Sequence, residues 1–280
     1  MNKMTYLKAQ QWAFSFIKKE DSETKTAIEL LLTGQMKWTT TDLLLHLRDE
    51  MKEKDFNQFK DNVVLYQKGW PVQYILGETQ FYGLPFNVTK DTLIPRMETE
   101  ELVEWILKDF PQNNFQKVLD IGTGTGAIGL TLKSYRKNWD VTLSDISSAA
   151  LEVANENAKN LNLKVDLIQS DLFEQINTKF DVIVSNPPYI SENEVQYMDQ
   201  SVLEHEPHQA LFAANDGLEI YQRIAQTCEQ YLNTNAVMYL EIGFKQGKMV
   251  QEIFQKKFIH AKIDLKKDIN GHDRMVRIKF

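Results

Sequence analysis

Cysteine is almost missing from the chain: Cys228 is the single one in 280 residues. That excludes an intramolecular disulfide and leaves too few thiolates for a cysteine-based zinc site. Long apolar runs are missing too, with none approaching the roughly 18 residues of a membrane span. The opening Met1-Asn2-Lys3-Met4-Thr5-Tyr6 has no apolar core of the secretory kind. A cytoplasmic protein without membrane association is expected. Histidine is sparse and scattered (His46, His205, His208, His260, His272), with no pair at helical metal-ligand spacing, so no metal site is expected. An excess of positive charge is also lacking, since 32 Lys and Arg face 39 Asp and Glu for a net charge of −7. A protein that grips a phosphate backbone carries a basic surface, so no direct nucleic-acid partner is expected.

What is present is an ordinary globular balance, 42% hydrophobic and 25% charged. The length exceeds what one hydrophobic core usually serves, so one large or two unequal domains are expected. The first seventy or so residues read as helices. Tyr6, Ala9, Ala13, Phe16 and Ile17 share one helical face, as do Phe56, Phe59, Val63 and Tyr66. Between them, Thr24 to Met36 carries Ala27, Ile28, Leu31 and Leu32, and Asp42 to Met51 carries Leu43, Leu44 and Leu47. Ser22 and Thr41 are the candidate caps. This bundle concentrates no catalytic residue types and reads as a structural or docking module.

From Gly77 to Pro95 the pattern changes, and Gln80 to Val88 reads as two short strands around a Gly83 turn. Strands and helices then alternate. Candidate strands are Lys117–Ile121, Val141–Ser144, Val165–Gln169, Asp181–Ser185, Val237–Ile242, Ile259–Leu265 and Met275–Phe280, with helical patterns at Ser147–Leu161 and Gly217–Leu232. Such alternation predicts a parallel sheet covered on both faces. Only Lys266–Arg274 separates the last two strands, with Asn270-Gly271 as turn chemistry, so they are expected to pair antiparallel.

Two segments carry chemistry. Gly122-Thr123-Gly124-Thr125-Gly126 leads from an apolar strand into a helix, where glycines let the backbone approach a ligand. Alone it fits a nicotinamide dinucleotide or S-adenosyl-L-methionine equally. Asp145 ends the next strand, placed to accept bonds from ribose hydroxyls. Asp171 ends the third, placed to accept from an adenine amino group while Leu172-Phe173 packs on the ring. At the end of the fourth strand stands Asn186-Pro187-Pro188-Tyr189. A planar amide or arylamine nitrogen is a poor nucleophile because its lone pair is delocalised. The Asn186 side-chain oxygen and the Pro187 carbonyl are two acceptors able to hold both its N–H groups. The prolines stiffen the turn and remove competing donors, and Tyr189 is expected to stack on the target. Ordered after the glycine turn, Asp145 and Asp171, this motif favours S-adenosyl-L-methionine as the cofactor and an N-methyltransferase as the function.

These residues resemble the class I, seven-stranded S-adenosylmethionine-dependent methyltransferases and, more narrowly, the bacterial release-factor glutamine methyltransferases of the HemK/PrmC family. Four features carry the resemblance: Gln73-Tyr74-Ile75-Leu76-Gly77, the run Leu93 to Glu100, the NPPY turn followed by Glu206-Pro207, and Gly271-His272-Asp273-Arg274. The chain departs from the family at Met97, where proline is usual, at His272, where asparagine is common, and at Leu172, often tryptophan.

The resemblance implies an α/β fold: a seven-stranded Rossmann-like sheet, mostly parallel with an antiparallel last strand, and a small N-terminal helical bundle. The expected domains are a helical substrate-docking domain over 1–76, a hairpin linker over 77–95 and a methyltransferase domain over 96–280. It implies N5-methylation of the glutamine in the Gly-Gly-Gln motif of class 1 peptide chain release factors by a monomer. Gly122, Thr123, Gly124, Thr125, Gly126, Asp145, Asp171, Leu172 and Asn186 would line the cofactor. Asn186, Pro187, Pro188 and Tyr189 would hold the glutamine, with Arg96, Glu98 and Thr99 near the mouth. The polar segment 191–208 after the NPPY turn is a candidate closing lid. The rival readings are a nucleic-acid methyltransferase acting on adenine N6 or guanine N2, a methyltransferase for a ribosomal-protein glutamine, and a non-catalytic binding module.

Overall fold

The computed structural model describes residues 3–19, 21–112 and 114–280. The chain folds into two compact units, one of residues 1–78 with 199–205, the other of 79–198 with 206–280.

The helical unit is built from Tyr6–Ile17, Ser22–Met36, Thr40–His46, Glu53–Gln67 and Val72–Leu76. Its core is the set anticipated from helical spacing: Ala9, Ala13, Ile28, Leu31, Leu32, Phe59 and Val63 are fully buried. The caps fall earlier than expected. Asp21, not Ser22, accepts from Thr24 N at 2.8 Å. Thr39, not Thr41, forms a reciprocal capping box with Asp42. In both cases the residue with extended backbone and a side chain three positions before a free N–H takes the role. The third helix also stops at His46, short of Met51, and leaves Leu44 exposed. Residues 199–205 join this unit through His205, whose ring stacks on Trp70 at 4.4 Å. The segment that follows the NPPY turn is therefore largely helical, with a 3-10 turn at Glu192–Tyr197 and a helix at Gln200–His205.

In the larger unit, β1 (Glu78–Phe81) and β2 (Leu84–Asn87) pair as a hairpin. Tyr82 and Gly83 both have positive φ (50° and 75°), the backbone of a tight two-residue turn. The hairpin is more than the expected linker, because Phe81 and Phe86 are buried in the core of this unit. The main sheet contains β3 (Lys117–Ile121), β4 (Asp140–Asp145), β5 (Asp166–Gln169), β6 (Phe180–Ser185), β7 (Leu232–Glu241), β8 (Lys262–Lys267) and β9 (Asp273–Lys279). Their order is β5-β4-β3-β6-β7-β9-β8, and β9 runs antiparallel to both its neighbours while the others are parallel. This is the seven-stranded sheet that the alternation predicted. The Lys262–Lys267 strand starts later than expected because Phe258–Ala261 turns and leaves Ile259 exposed.

Side chains alternate along each strand, so the sheet has two apolar faces. Val118, Val182, Val184 and Tyr239 pack on one; Leu119, Ile183, Met238 and Leu240 pack on the other. The chain leaves β3 to opposite sides for β4 and β6, a topological switch point that opens a crevice at the carboxyl edge. Among the described residues no helix is long and apolar enough to cross a membrane.

The cap assignment is testable. Thr39→Ala is expected to destabilise the helical unit by about 1 kcal/mol. Thr41→Ala, one residue inside the helix, is expected to leave it unchanged or slightly more stable, because alanine is the better helix former. Urea unfolding followed by circular dichroism distinguishes the two.

Candidate active site

The carboxyl edge of the sheet opens into a cavity of about 510 Å³ lined by the glycine turn, the ends of β4 and β6, and the residues after β5. Gly122 and Gly124 have φ of 68° and 55°, and an added Cβ at either would meet no atom within 4 Å. The turn thus presents bare backbone to open space, the shape a ligand's polar groups can approach closely. Gly126 is different: it does not line the cavity, and a Cβ there would meet Leu130 Cδ1 at 2.7 Å where the helix Ala127–Tyr135 begins. Its role is to let the helix start.

Asp120 shapes the turn from beneath. Its Oδ2 accepts from Thr123 Oγ1 at 2.6 Å and from Gly129 N at 2.9 Å. Burial pushes its carboxyl up to about 6 from an ordinary 3.8, and Oδ1 has no hydrogen-bond partner among the described residues. Asn157, also buried, braces the other side of the turn by donating to Thr125 O at 2.9 Å. Asp145 lines the cavity, with Oδ2 accepting from Gly124 N and Oδ1 from Ser147 N, both at 2.9 Å. Burial raises its carboxyl. Asp145 is therefore both a brace for the turn and a wall of the cavity, and a carboxylate has lone pairs enough to accept a further hydroxyl.

Asp171 and Leu172 also line the cavity. Asp171 Oδ2 pairs with Arg223 at 2.8 Å, a partner not anticipated from sequence. Phe173 does not share the wall with Leu172 as expected. It is buried and stacks on Tyr231 at 4.7 Å with the planes 8° apart, because Leu172 takes a positive φ (49°) and sends the chain back into the core.

Asn186, Pro187 and Pro188 emerge at the end of β6 and line the cavity beside the glycine turn, which follows the neighbouring β3. Ser185 ties this end to β3 by donating to Ile121 O at 2.7 Å. Tyr189 does not line the cavity. Its ring packs with the apolar face below, and its backbone oxygen accepts from Gln246 Nε2 at 2.9 Å. Arg96 and Thr99 line the mouth, whereas Glu98 does not. Arg96 bonds at 2.5 Å to Glu206, whose carboxylate is buried. Thr99 donates to Glu241 Oε2 at 2.6 Å and accepts from Asn186 Nδ2 at 3.3 Å. Sequence reasoning missed Glu241. Its signal was a lone carboxylate closing the apolar run Val237 to Leu240, since acids are rarely buried without a task.

Sheet order, glycine turn and NPPY turn together define a methyltransferase. The Methyltransferase small domain matches residues 101–234. Two solved structures share the fold: a methyltransferase from Pyrococcus furiosus (TM-score 0.52, 16% identity, covering 81% of this chain and 98% of that one), and the Thermus thermophilus 16S rRNA N2 G1207 methyltransferase in complex with AdoMet and guanosine (TM-score 0.53, 17% identity, 72% and 49%).

The chain belongs to the release factor glutamine methyltransferase family. It is 47% identical to the Streptococcus pneumoniae member, over 84% of this chain and 85% of that one. It is 40% identical to the Enterococcus faecalis member, over 96% and 97%. The PrmC N-terminal domain matches residues 8–77.

The burial of Asp120 predicts a pH signature. Its folded pKa lies above the unfolded value, so its contribution to stability is complete below about 3.8 and is lost as pH rises through about 6. The thermal stability of the wild type relative to Asp120→Asn is expected to fall across that window and to level off above it. Paired melting curves over pH check this.

Proposed function

We propose that the protein transfers the methyl group of S-adenosyl-L-methionine to the side-chain nitrogen, N5, of the glutamine in the Gly-Gly-Gln motif of class 1 peptide chain release factors, in the cytoplasm. The observation that carries the reading is that Asn186 and Pro187 line the same cavity as the glycine turn, at the ends of two paired strands.

The cofactor fits the site on two grounds: a bare-backbone cradle at Gly122 and Gly124 that any side chain would fill, and carboxylates of Asp145 and Asp171 on the wall beside it. When bound, it supplies an electrophilic methyl group on a positively charged sulfur. Gly122 to Thr125, Asp145, Asp171 and Leu172 are the lining residues that would hold it.

The chain's remaining work is on the acceptor. A carboxamide nitrogen has two N–H groups and a lone pair spread into its carbonyl. Asn186 Oδ1 and the Pro187 carbonyl accept one N–H each, which fixes the nitrogen and concentrates electron density on it. Holding the nucleophile in line with its target converts an encounter into a positioned reaction, and acceptors that need no reorganisation stabilise the charge that develops. The alkylated nitrogen is strongly acidic and loses its extra proton to water, so no strong base is required. Pro187 and Pro188 contribute no N–H to compete for these acceptors. Tyr189 supports the turn from behind.

The helical unit, 1–78, serves as the docking module for the protein substrate. Leu44 and Leu45 stand side by side on it, 64% and 73% exposed. We take this exposed apolar pair as the candidate contact point of the docking module.

Label from S-adenosyl-L-methionine should appear on an intact release factor and not on one whose Gly-Gly-Gln glutamine is replaced. Label on DNA or on ribosomal protein instead would overturn the substrate assignment. Asn186→Ala is expected to lower turnover by at least about 100-fold, as loss of a positioned hydrogen-bonding group does, with cofactor affinity within a modest factor. Replacing Leu44 and Leu45 by serine is expected to raise KM for the whole factor several-fold, roughly the loss of one or two apolar contacts, and to leave methylation of a short Gly-Gly-Gln peptide unchanged.

A further inference from the structure

An asparagine side chain has nearly the same shape end for end, yet only its oxygen can accept an N–H from a substrate amide. Whatever fixes which end of Asn186 faces the cavity therefore decides whether the turn can hold its target. The neighbours of Asn186 supply that constraint. Its Nδ2 donates to Thr99 Oγ1 at 3.3 Å. Thr99 has a single hydroxyl hydrogen, and that hydrogen is directed at Glu241 Oε2 across 2.6 Å. The hydroxyl then has only lone pairs to offer Asn186, so the NH2 end must face Thr99 and the oxygen end is left for the substrate.

Glu241 is well placed to enforce this. It is 1% exposed and ends β7, one strand away from the NPPY turn. Along β7 it alternates onto the same face as Val237 and Tyr239, the face covered by the helix Met97–Asp109 that carries Thr99. The Tyr189 side chain lies among the groups that face this carboxylate. One buried group thus reaches the start of the turn, Asn186, through Thr99.

We infer that Glu241 and Thr99 are positioning residues that lock the Asn186 amide with its oxygen toward the substrate nitrogen, and so select a target that offers N–H donors. This rests on the reading of Asn186 as a holder of the glutamine amide. The charge on Glu241 sets the direction of the chain of bonds. An ionised carboxylate can only accept, whereas a protonated one can donate to Thr99 and free the hydroxyl hydrogen to turn toward Asn186. The groups that face Glu241 are Thr99 and Glu98 from the helix, Tyr189 from the turn and Arg274 from β9, with the Tyr221 hydroxyl on its backbone oxygen at 2.8 Å. Burial dominates among them and pushes the carboxyl up to about 7 from 4.5. Locking is therefore complete above neutrality and fades as pH falls.

The test compares Thr99→Val, Thr99→Ser, Glu241→Gln and Asn186→Ala, measuring kcat and KM for an intact release factor, the Kd for S-adenosyl-L-methionine, and kcat against pH. Valine keeps the volume of threonine and removes the hydroxyl, so Thr99→Val should lose roughly tenfold to a hundredfold in kcat, the scale of a misplaced reacting group, with cofactor Kd unchanged. Glu241→Gln should lose turnover in the same way. Thr99→Ser should recover most of what valine loses. In the wild type kcat should fall as pH drops through about 7, and that limb should be absent from Thr99→Val. Wild-type turnover in Thr99→Val would overturn the inference, as would equal losses in the valine and serine variants accompanied by weakened cofactor binding. If Asn186→Ala is itself fully active, the amide-holding reading fails. If it is inactive while Thr99→Val is not, only the positioning role fails.

Discussion

Parallel pairing delivers the last residue of every strand to the same edge of a sheet, and the rest of this structure depends on that. In β3, β4 and β6 the register aligns Ile121 with Ser144 and Ser185, and Ser185 with Leu240 of β7. The residues just beyond, Gly122, Asp145, Asn186 and Glu241, therefore arrive side by side although up to 119 positions separate them in the chain (241 − 122). Backbone hydrogen bonding alone brings the glycine turn beside the NPPY turn, and short loops need only finish what the strands have aligned.

The same edge collects acids, and burying an acid is costly unless its oxygens are satisfied. An unpaired buried polar group costs about 1–3 kcal/mol and a charged one more, so each carboxylate here organises the donors around it. Asp120 gathers Thr123 and Gly129, which fixes the shape of the turn. Asp145 gathers Gly124 and Ser147, which ties that turn to the next helix. Glu206 gathers Arg96 and the Ile94 amide, which closes the mouth. Glu241 gathers Thr99, which in turn accepts from Asn186. Stabilisation and site geometry are produced by the same bonds, and for that reason these acids sit where they do despite their burial. Raised carboxyl pKa values at Asp120, Asp145 and Glu241 are the residue of desolvation that the donors do not offset.

How much of this was legible in the sequence follows from the range of each signal. Strand and helix patterns are local, so the seven strands were found within a few residues, and alternation implied their parallel order. The glycine turn and Asn186 to Pro188 are contiguous motifs and were read directly. Errors came where two nearby residues compete for one role. Asp21 displaces Ser22 as a cap, and Leu172 faces the cavity while its neighbour Phe173 turns into the core. Tyr189 was expected to stack on the planar target, but it does not line the cavity and its ring packs against the core. Glu241, Arg223 and Asn157 were not anticipated, since each acts on a residue at least 32 positions away (157 − 125) and no local pattern encodes such a pairing.

Thr99 and Glu241 lie on either side of the stretch 101–234 that matches the methyltransferase small domain. The glycine turn, Asp145, Asp171 and Asn186 to Pro188, which line the cavity, are inside that stretch. The two residues hydrogen-bonded in series to Asn186 are outside it, on the helix before β3 and at the end of β7. Solved methyltransferases at 16–17% identity share the sheet with this chain, and a sheet alone does not choose an acceptor. The choice requires an acceptor-holding turn whose hydrogen-bonding sense is set, and a rigid NPPY backbone cannot set the sense of its own asparagine amide. That has to come from a neighbouring hydroxyl with its hydrogen already committed. Thr99 offers such a hydroxyl and Glu241 accepts its hydrogen, so the inferred orientation of Asn186, inside the matched stretch, is set by two residues that flank it.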